Sequence, residues 1–188
     1  MKDDLQQYFI AVLPPDEISS EARRIQDEFH TKYNTKAALR SPPHITLHMP
    51  FRWKAAREEV LTSKLSQFFH ALAPFSVVIE GFGSFPPRVI YMNVISSKEL
   101  VEAQYKLSRF CRLHLGLFNA THCDHPYHPH LTLAFRDLRK PTFKVVWELY
   151  SKASYAARFD VESVWLLRHD GHKWHPLLAF DLDNTASE

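Results

Sequence analysis

Residues 44–51 (HITLHMPF) and 130–135 (HLTLAF) carry the same His-x-Thr-Leu tetrad, 86 residues apart, and the elements around them recur at nearly that interval. Both tetrads alternate polar and apolar side chains with a period of two, which makes each a strand with two unlike faces. Before the first comes an apolar strand, residues 6–13, ended by Pro14 and Pro15. Asp16 is placed to cap a helix with Ile18, Ala22, Ile25 and Phe29 on one stripe. After the first tetrad, Leu61, Leu65, Phe68 and Leu72 mark a second helix, and residues 75–81 a strand.

The same order then repeats: a strand over 89–95, a helix from Ser97 to about Leu115, the second tetrad strand, and a helix through Phe143, Val146, Trp147 and Tyr150. A hairpin of residues 159–167 and 174–182 closes the chain, with Asp170-Gly171 favouring a type I′ turn. The repeat predicts an α+β fold in one domain, 1–188. Two pseudo-symmetric lobes, about 1–85 and 86–188, each an antiparallel-rich sheet with outer helices, enclose a central cleft.

Composition narrows the function classes. A net charge of +2 permits an anionic substrate but lacks the excess expected for gripping a long nucleic acid. No apolar run approaches the roughly 20 residues of a spanning helix, so no membrane partner is expected. The sequence MKDDLQQYF has no apolar signal core, and two cysteines, Cys111 and Cys123, form no disulfide framework. A cytoplasmic monomer with reduced thiols is the expectation. Histidine is abundant, twelve in all, and calls for a chemical account.

In the first tetrad strand His44, Thr46 and His48 share one face, and in the second His130 and Thr132 do, while the apolar set packs on helices. A cleft lined from both sides by imidazole and hydroxyl suits phosphodiester chemistry. One group must take a proton from the attacking oxygen and another must give one to the leaving oxygen, which two histidines do near neutral pH without a metal. Hydroxyls beside them can hold the charged non-bridging oxygens. The pairing of two tetrads at repeat-equivalent positions is far more specific than either alone.

On these residues, His44-Ile45-Thr46-Leu47 and His130-Leu131-Thr132-Leu133, the chain resembles the 2H phosphoesterase superfamily, in particular its bacterial 2′-5′ RNA ligase-like and cyclic phosphodiesterase-like members. The resemblance implies two pseudo-symmetric lobes that each give one His and one Thr to a central groove. It implies that His44 and His130 are the acid–base pair, in an order left open, and that Thr46 and Thr132 hold the phosphate. The implied activity is metal-independent and cofactor-free, on a 2′,3′-cyclic phosphate or a 2′-5′ linkage of a nucleotide or RNA end.

Around the tetrads, His48, Arg52 and Arg136 are candidates for substrate contact, the arginines if their strands persist and His48 unless Met49-Pro50 ends its strand. Phe51, Trp53, Tyr91 and Tyr127 are candidates to stack a base, with core packing as the plainer role. Arg88 reads as a solvated turn residue. Two rival functions remain: an RNA- or nucleotide-binding protein without turnover, and a metal-dependent hydrolase built on the loop from His122 to His128. The spacing in that loop fits no common zinc signature, and Pro126 and Pro129 stiffen it, so no metal is assigned.

Overall fold

The computed structural model describes residues 4–118 and 126–183. Among these residues are eight strands: β1 (Leu5–Val12), β2 (Ile45–Lys54), β3 (Phe75–Phe85), β4 (Val89–Val94), β5 (His130–Ala134), β6 (Ala156–Val161), β7 (Ser163–His169) and β8 (Trp174–Asp181). Four α-helices join them: α1 (Asp16–Tyr33), α2 (Glu58–His70), α3 (Lys98–Leu115) and α4 (Lys140–Tyr150). All strands form one antiparallel sheet in the order β6-β3-β4-β5-β2-β1-β7-β8, with the two tetrad strands side by side at its centre. The fold is α+β, with the expected doubling about that centre.

The helices form where apolar residues fall on one stripe. Ile18, Ala22, Ile25 and Phe29 of α1 and Leu100, Ala103, Leu107 and Cys111 of α3 are all buried. The Ser97 hydroxyl caps α3 by accepting from the Leu100 N–H at 3.2 Å. The α1 cap differs from expectation. Pro15 takes the cap position, and Asp16 stands inside the first turn, where its charge meets the positive end of the helix dipole. α1 packs behind β5, and α3 behind β2 and β3, so each helix supports the tetrad strand of the other half.

The last expected hairpin is also different. Residues 159–167 are not one strand: pairing breaks at Glu162, and the pieces go to opposite regions of the sheet. β6 pairs with β3, whereas β7 pairs with β1 and then β8. The β7–β8 connection is a four-residue loop closed by the Asp170 N–H on the Lys173 carbonyl, not a type I′ turn; only Gly171 has positive φ. The Asp170 carboxylate replaces the missing turn geometry by accepting from the His172 and Lys173 N–H groups, each at 2.7 Å. β3 ends the first half in sequence yet lies beside β4 of the second, and β7 returns to β1, so the halves exchange strands.

Candidate active site

β2 and β5 are joined by one backbone pair among the described residues, Ile45 with Leu131. In an antiparallel register this pair sets Thr46 across from His130 and His44 across from Thr132, at the ~5 Å reach of cross-strand neighbours. Ile45 and Leu131 themselves turn to the other face and are fully buried in the main core. The four polar side chains of the tetrads therefore occupy one patch on the face opposite the helices. The charge of His130 reaches His44 and adds to burial in depressing its pKa.

Both histidines are held in the same way. His44 Nδ1 lies 2.7 Å from the Pro42 carbonyl and His130 Nδ1 2.8 Å from the His128 carbonyl, each two residues upstream. A carbonyl only accepts, so each Nδ1 carries the hydrogen and donates, and each Nε2 is left to exchange protons. Burial pushes His44 down to about 4, against the opposing pull of the Pro42 carbonyl. Burial also lowers His130, against the opposing pull of the His128 carbonyl, with the charge of the His128 ring adding to the lowering.

Each tetrad strand also bulges just after its tetrad Thr. The register passes from Ala11–Thr46 to Ile10–His48, and from Tyr91–Thr132 to Ile90–Ala134, so Leu47 and Leu133 are extra residues in equivalent positions. A bulge leaves backbone groups without ladder partners, and glutamine side chains supply them here. Gln26 of α1 donates its amide to the Thr132 carbonyl at 2.9 Å, and Gln104 of α3 donates to the Leu47 carbonyl at 3.4 Å. The Tyr127 hydroxyl donates to the Thr46 carbonyl at 2.9 Å and ties the residues before β5 to β2.

The irregularities of β2 correct three sequence expectations. His48 is not on the His44 face: opposite Ile10 it turns into the core, 1% exposed, and meets the ring of Phe51 edge-on at 5.3 Å. Met49-Pro50 does not end the strand, which runs on to Lys54 with a second irregularity that absorbs Pro50. Phe51 therefore faces Tyr8 in the core, rings 5.9 Å apart, and is no stacking platform for substrate. Arg52 stays exposed opposite Gln7, on the face away from the Tyr8–Phe51 pair.

In the other half β5 ends at Ala134, so the strand that would have carried Arg136 does not persist. Arg136 turns into the left-handed region (φ 57°) and lays its guanidinium over Phe135 at 5.1 Å, while its carbonyl accepts from Arg88. Tyr127 and Trp53 are engaged as well; the Trp53 indole donates to the Arg57 carbonyl at 2.7 Å. Tyr91 alone of the four aromatic candidates packs its ring on a tetrad histidine, 5.0 Å from that of His130, with its hydroxyl 2.9 Å from His128 Nε2. Gly83 makes room for that ring, since a Cβ there would lie 2.3 Å from it.

Sequence reasoning missed the walls. Phe9 packs on His44 at 4.8 Å and Trp174 on Phe9 at 4.7 Å, while Phe85 packs on His130 at 5.2 Å. β1 is apolar on both faces, so nothing in its sequence sets Phe9 apart from the core residues beside it. Of the loop from His122 to His128, residues 122–125 lie outside the described residues. Among the described residues no three His, Cys, Asp or Glu side chains are grouped to hold a metal, and no helix is long and apolar enough to cross a membrane.

A doubled antiparallel sheet with a His-x-Thr pair on each central strand defines a two-tetrad, phosphoesterase-like class of protein. The sequence profile of the 2′-5′ RNA ligase superfamily matches residues 14–173, and the chain belongs to that family. A Geobacillus kaustophilus protein named "Putative phosphoesterase GK0864" is 30% identical over 136 residues, 70% of this chain and 69% of that protein. A Bacillus anthracis phosphoesterase of the same description is 31% identical over 117 residues, 60% of this chain and 63% of its own length. Among solved structures, TT0787 of Thermus thermophilus superposes with a TM-score of 0.68 at 20% identity, covering 94% of this chain and 97% of that one. Escherichia coli LigT complexed with 3′-AMP superposes with a TM-score of 0.61 at 17% identity, covering 95% and 98%.

Proposed function

We propose that this protein is a metal-independent phosphodiesterase that opens 2′,3′-cyclic phosphates, or acts on 2′-5′ linkages, at nucleotide or RNA ends. The observation that carries the reading is the matched tethering of His44 and His130, Nδ1 to the carbonyl two residues back, on strands bridged at Ile45–Leu131. Two imidazoles held in one tautomer across one bridge are suited to serve a single phosphorus from opposite sides. The LigT complex with 3′-AMP, a nucleotide monophosphate, fits such a product.

His44, held at about 4, is the neutral imidazole and takes the proton from the attacking water. As the water oxygen bonds to phosphorus, one ribose P–O bond breaks. His130, protonated as the substrate anion raises its pKa, gives its proton to the departing ribose oxygen. Thr46 and Thr132 donate to the non-bridging oxygens, where charge builds in the transition state. Loss of His44 or His130 as alanine is expected to lower kcat/KM by roughly 10²–10⁴-fold on cyclic nucleotides, with activity in chelator unchanged for the parent chain. Full turnover in either variant, with circular dichroism showing it folded, sinks the assignment. Tight nucleotide binding without product at any pH would leave a binding protein instead.

A further inference from the structure

The long flank between the start of β2 and the β7–β8 loop carries a charge pattern that the tetrad chemistry does not use. Two adjoining hollows, of about 440 and 470 Å³, run along it, sharing Leu39, Arg40 and Lys173. Their fixed charges are Arg23, Lys36, Arg40 and Lys173 against Asp27 alone. That is an excess of three positive charges among the lining residues, with the Asp137 and Asp170 carboxylates set in the walls behind them. Lys36, Arg40 and Lys173 form no ion pair among the described residues, and all three are exposed. His30, His169, His172 and His175 line the same walls.

Both walls are pinned. Asp137 accepts from the Thr35 hydroxyl and from the N–H groups of Lys36 and Ala37, and Arg23 donates to the Ser41 carbonyl at 2.9 Å. On the opposite side the Asp170 carboxylate holds the loop through His172, Lys173 and the His175 ring, the last at 2.8 Å. The trough also reaches the tetrads. Pro42, in its lining, is the residue whose carbonyl tethers His44, and Trp174, also in its lining, packs on Phe9 against the His44 ring. A half-exposed indole beside a line of unpaired cations is the combination that holds single-stranded nucleic acid: stacking for a base, fixed charge for successive phosphates.

We infer that this trough is a subsite for the body of a single-stranded oligoribonucleotide whose terminal phosphodiester sits at the tetrads on the His44 side. The inference rests on the phosphodiesterase reading only for the identity of the end group; the trough itself supplies fixed positive charge and an indole face. Its substrate is then an RNA end of several nucleotides rather than a free mononucleotide.

The test uses a fluorescein-labelled hexaribonucleotide ending in a 3′-phosphate, bound to the full chain and followed by anisotropy, which needs no turnover. Beside it, kcat/KM is measured on 2′,3′-cyclic mononucleotide and on a cyclic-phosphate hexamer. The expected result is at least tenfold tighter binding of hexamer than of 3′-mononucleotide, and tenfold or greater weakening by Lys36→Glu with Lys173→Glu. The same double variant should leave turnover of the cyclic mononucleotide within twofold and flatten the salt dependence of hexamer binding by about 1.4 in log–log slope. Equal affinity for hexamer and mononucleotide, an unchanged Kd in the double variant, or equal competition by polyglutamate overturns the trough while leaving the tetrad chemistry standing. Hexamer binding through these lysines with no turnover of any cyclic phosphate does the reverse.

Discussion

Thr46 and Thr132 are the residues whose removal separates chemistry from architecture, because their carbonyls, not their hydroxyls, are tied into the fold. Thr46→Val or Thr132→Val should cost about 2.7–4 kcal/mol of transition-state stabilisation, a fall in kcat of roughly 10²–10³, with little change in urea midpoint. The two depressed histidines set the pH response. In the free enzyme the base must be bare and the acid protonated, so kcat/KM should peak on the acid side of 6.5, its acidic limb near His44's value of about 4. Because bound phosphate raises the acid's pKa, the kcat profile should lie at higher pH, and coincident profiles would refute the assignment. His48 gives a stability prediction. Its pKa is lowered by burial, so the unfolded chain binds the proton first as pH drops below about 6.5, and stability is lost from there down toward its folded pKa. His48→Leu should therefore match the parent at pH 7.5 and exceed it at pH 5 in urea unfolding. The tetrads themselves were legible in the sequence because alternation alone puts His44 with Thr46 and His130 with Thr132. His48 was not, because a one-residue bulge at Leu47 turns it to the core and leaves no mark in composition; the second irregularity restores the phase, so Phe51 shares the core face of Ile45 and Leu47.

At the level of elements, the helices read well and the strand ends did not. Stripes such as Ile18, Ala22, Ile25 and Phe29 declare a helix whatever it packs on. Which strand pairs with which is decided by partners far away in sequence, so the break at Glu162 between β6 and β7 has no local signal. The exchanged helices give these elements a testable duty. Gln26 is 2% exposed and donates to the orphaned Thr132 carbonyl, so Gln26→Leu should cost about 1–3 kcal/mol and also lower kcat, since β5 shifts with it. Gln104, longer-bonded at 3.4 Å and half-buried, should cost less. Gly83→Ala tests the opposite wall. Its methyl group would drive into the Tyr91 ring and break the Tyr91–His128 bond, so activity should fall more than stability. A variant with full activity would show that Tyr91 does not matter to His130.

For the molecule as a whole, exchange of strands between halves makes the sheet one cooperative object. β3 draws its ladder partners from β4 and β6, both later in the chain, and β1 draws one of its own from β7. A fragment ending at residue 85 should accordingly be unfolded by circular dichroism, and urea should unfold the full chain in one transition seen alike by tryptophan fluorescence and by ellipticity. Two separable transitions would show lobes that fold alone. The doubling was visible in the sequence as a repeat, but the crossing of β3 and β7 is a property of three-dimensional closure that a linear interval does not encode.

The bridge between Ile45 and Leu131 fixes more than position. In the present alignment every imidazole has an alcohol as its opposite number. Sliding one strand by two residues would keep all four side chains on the same surface yet face ring to ring, where bringing a proton to one would penalise its twin. A single hydrogen-bonded rung thus acts as the vernier that lets twin groups from a doubled chain take unlike jobs.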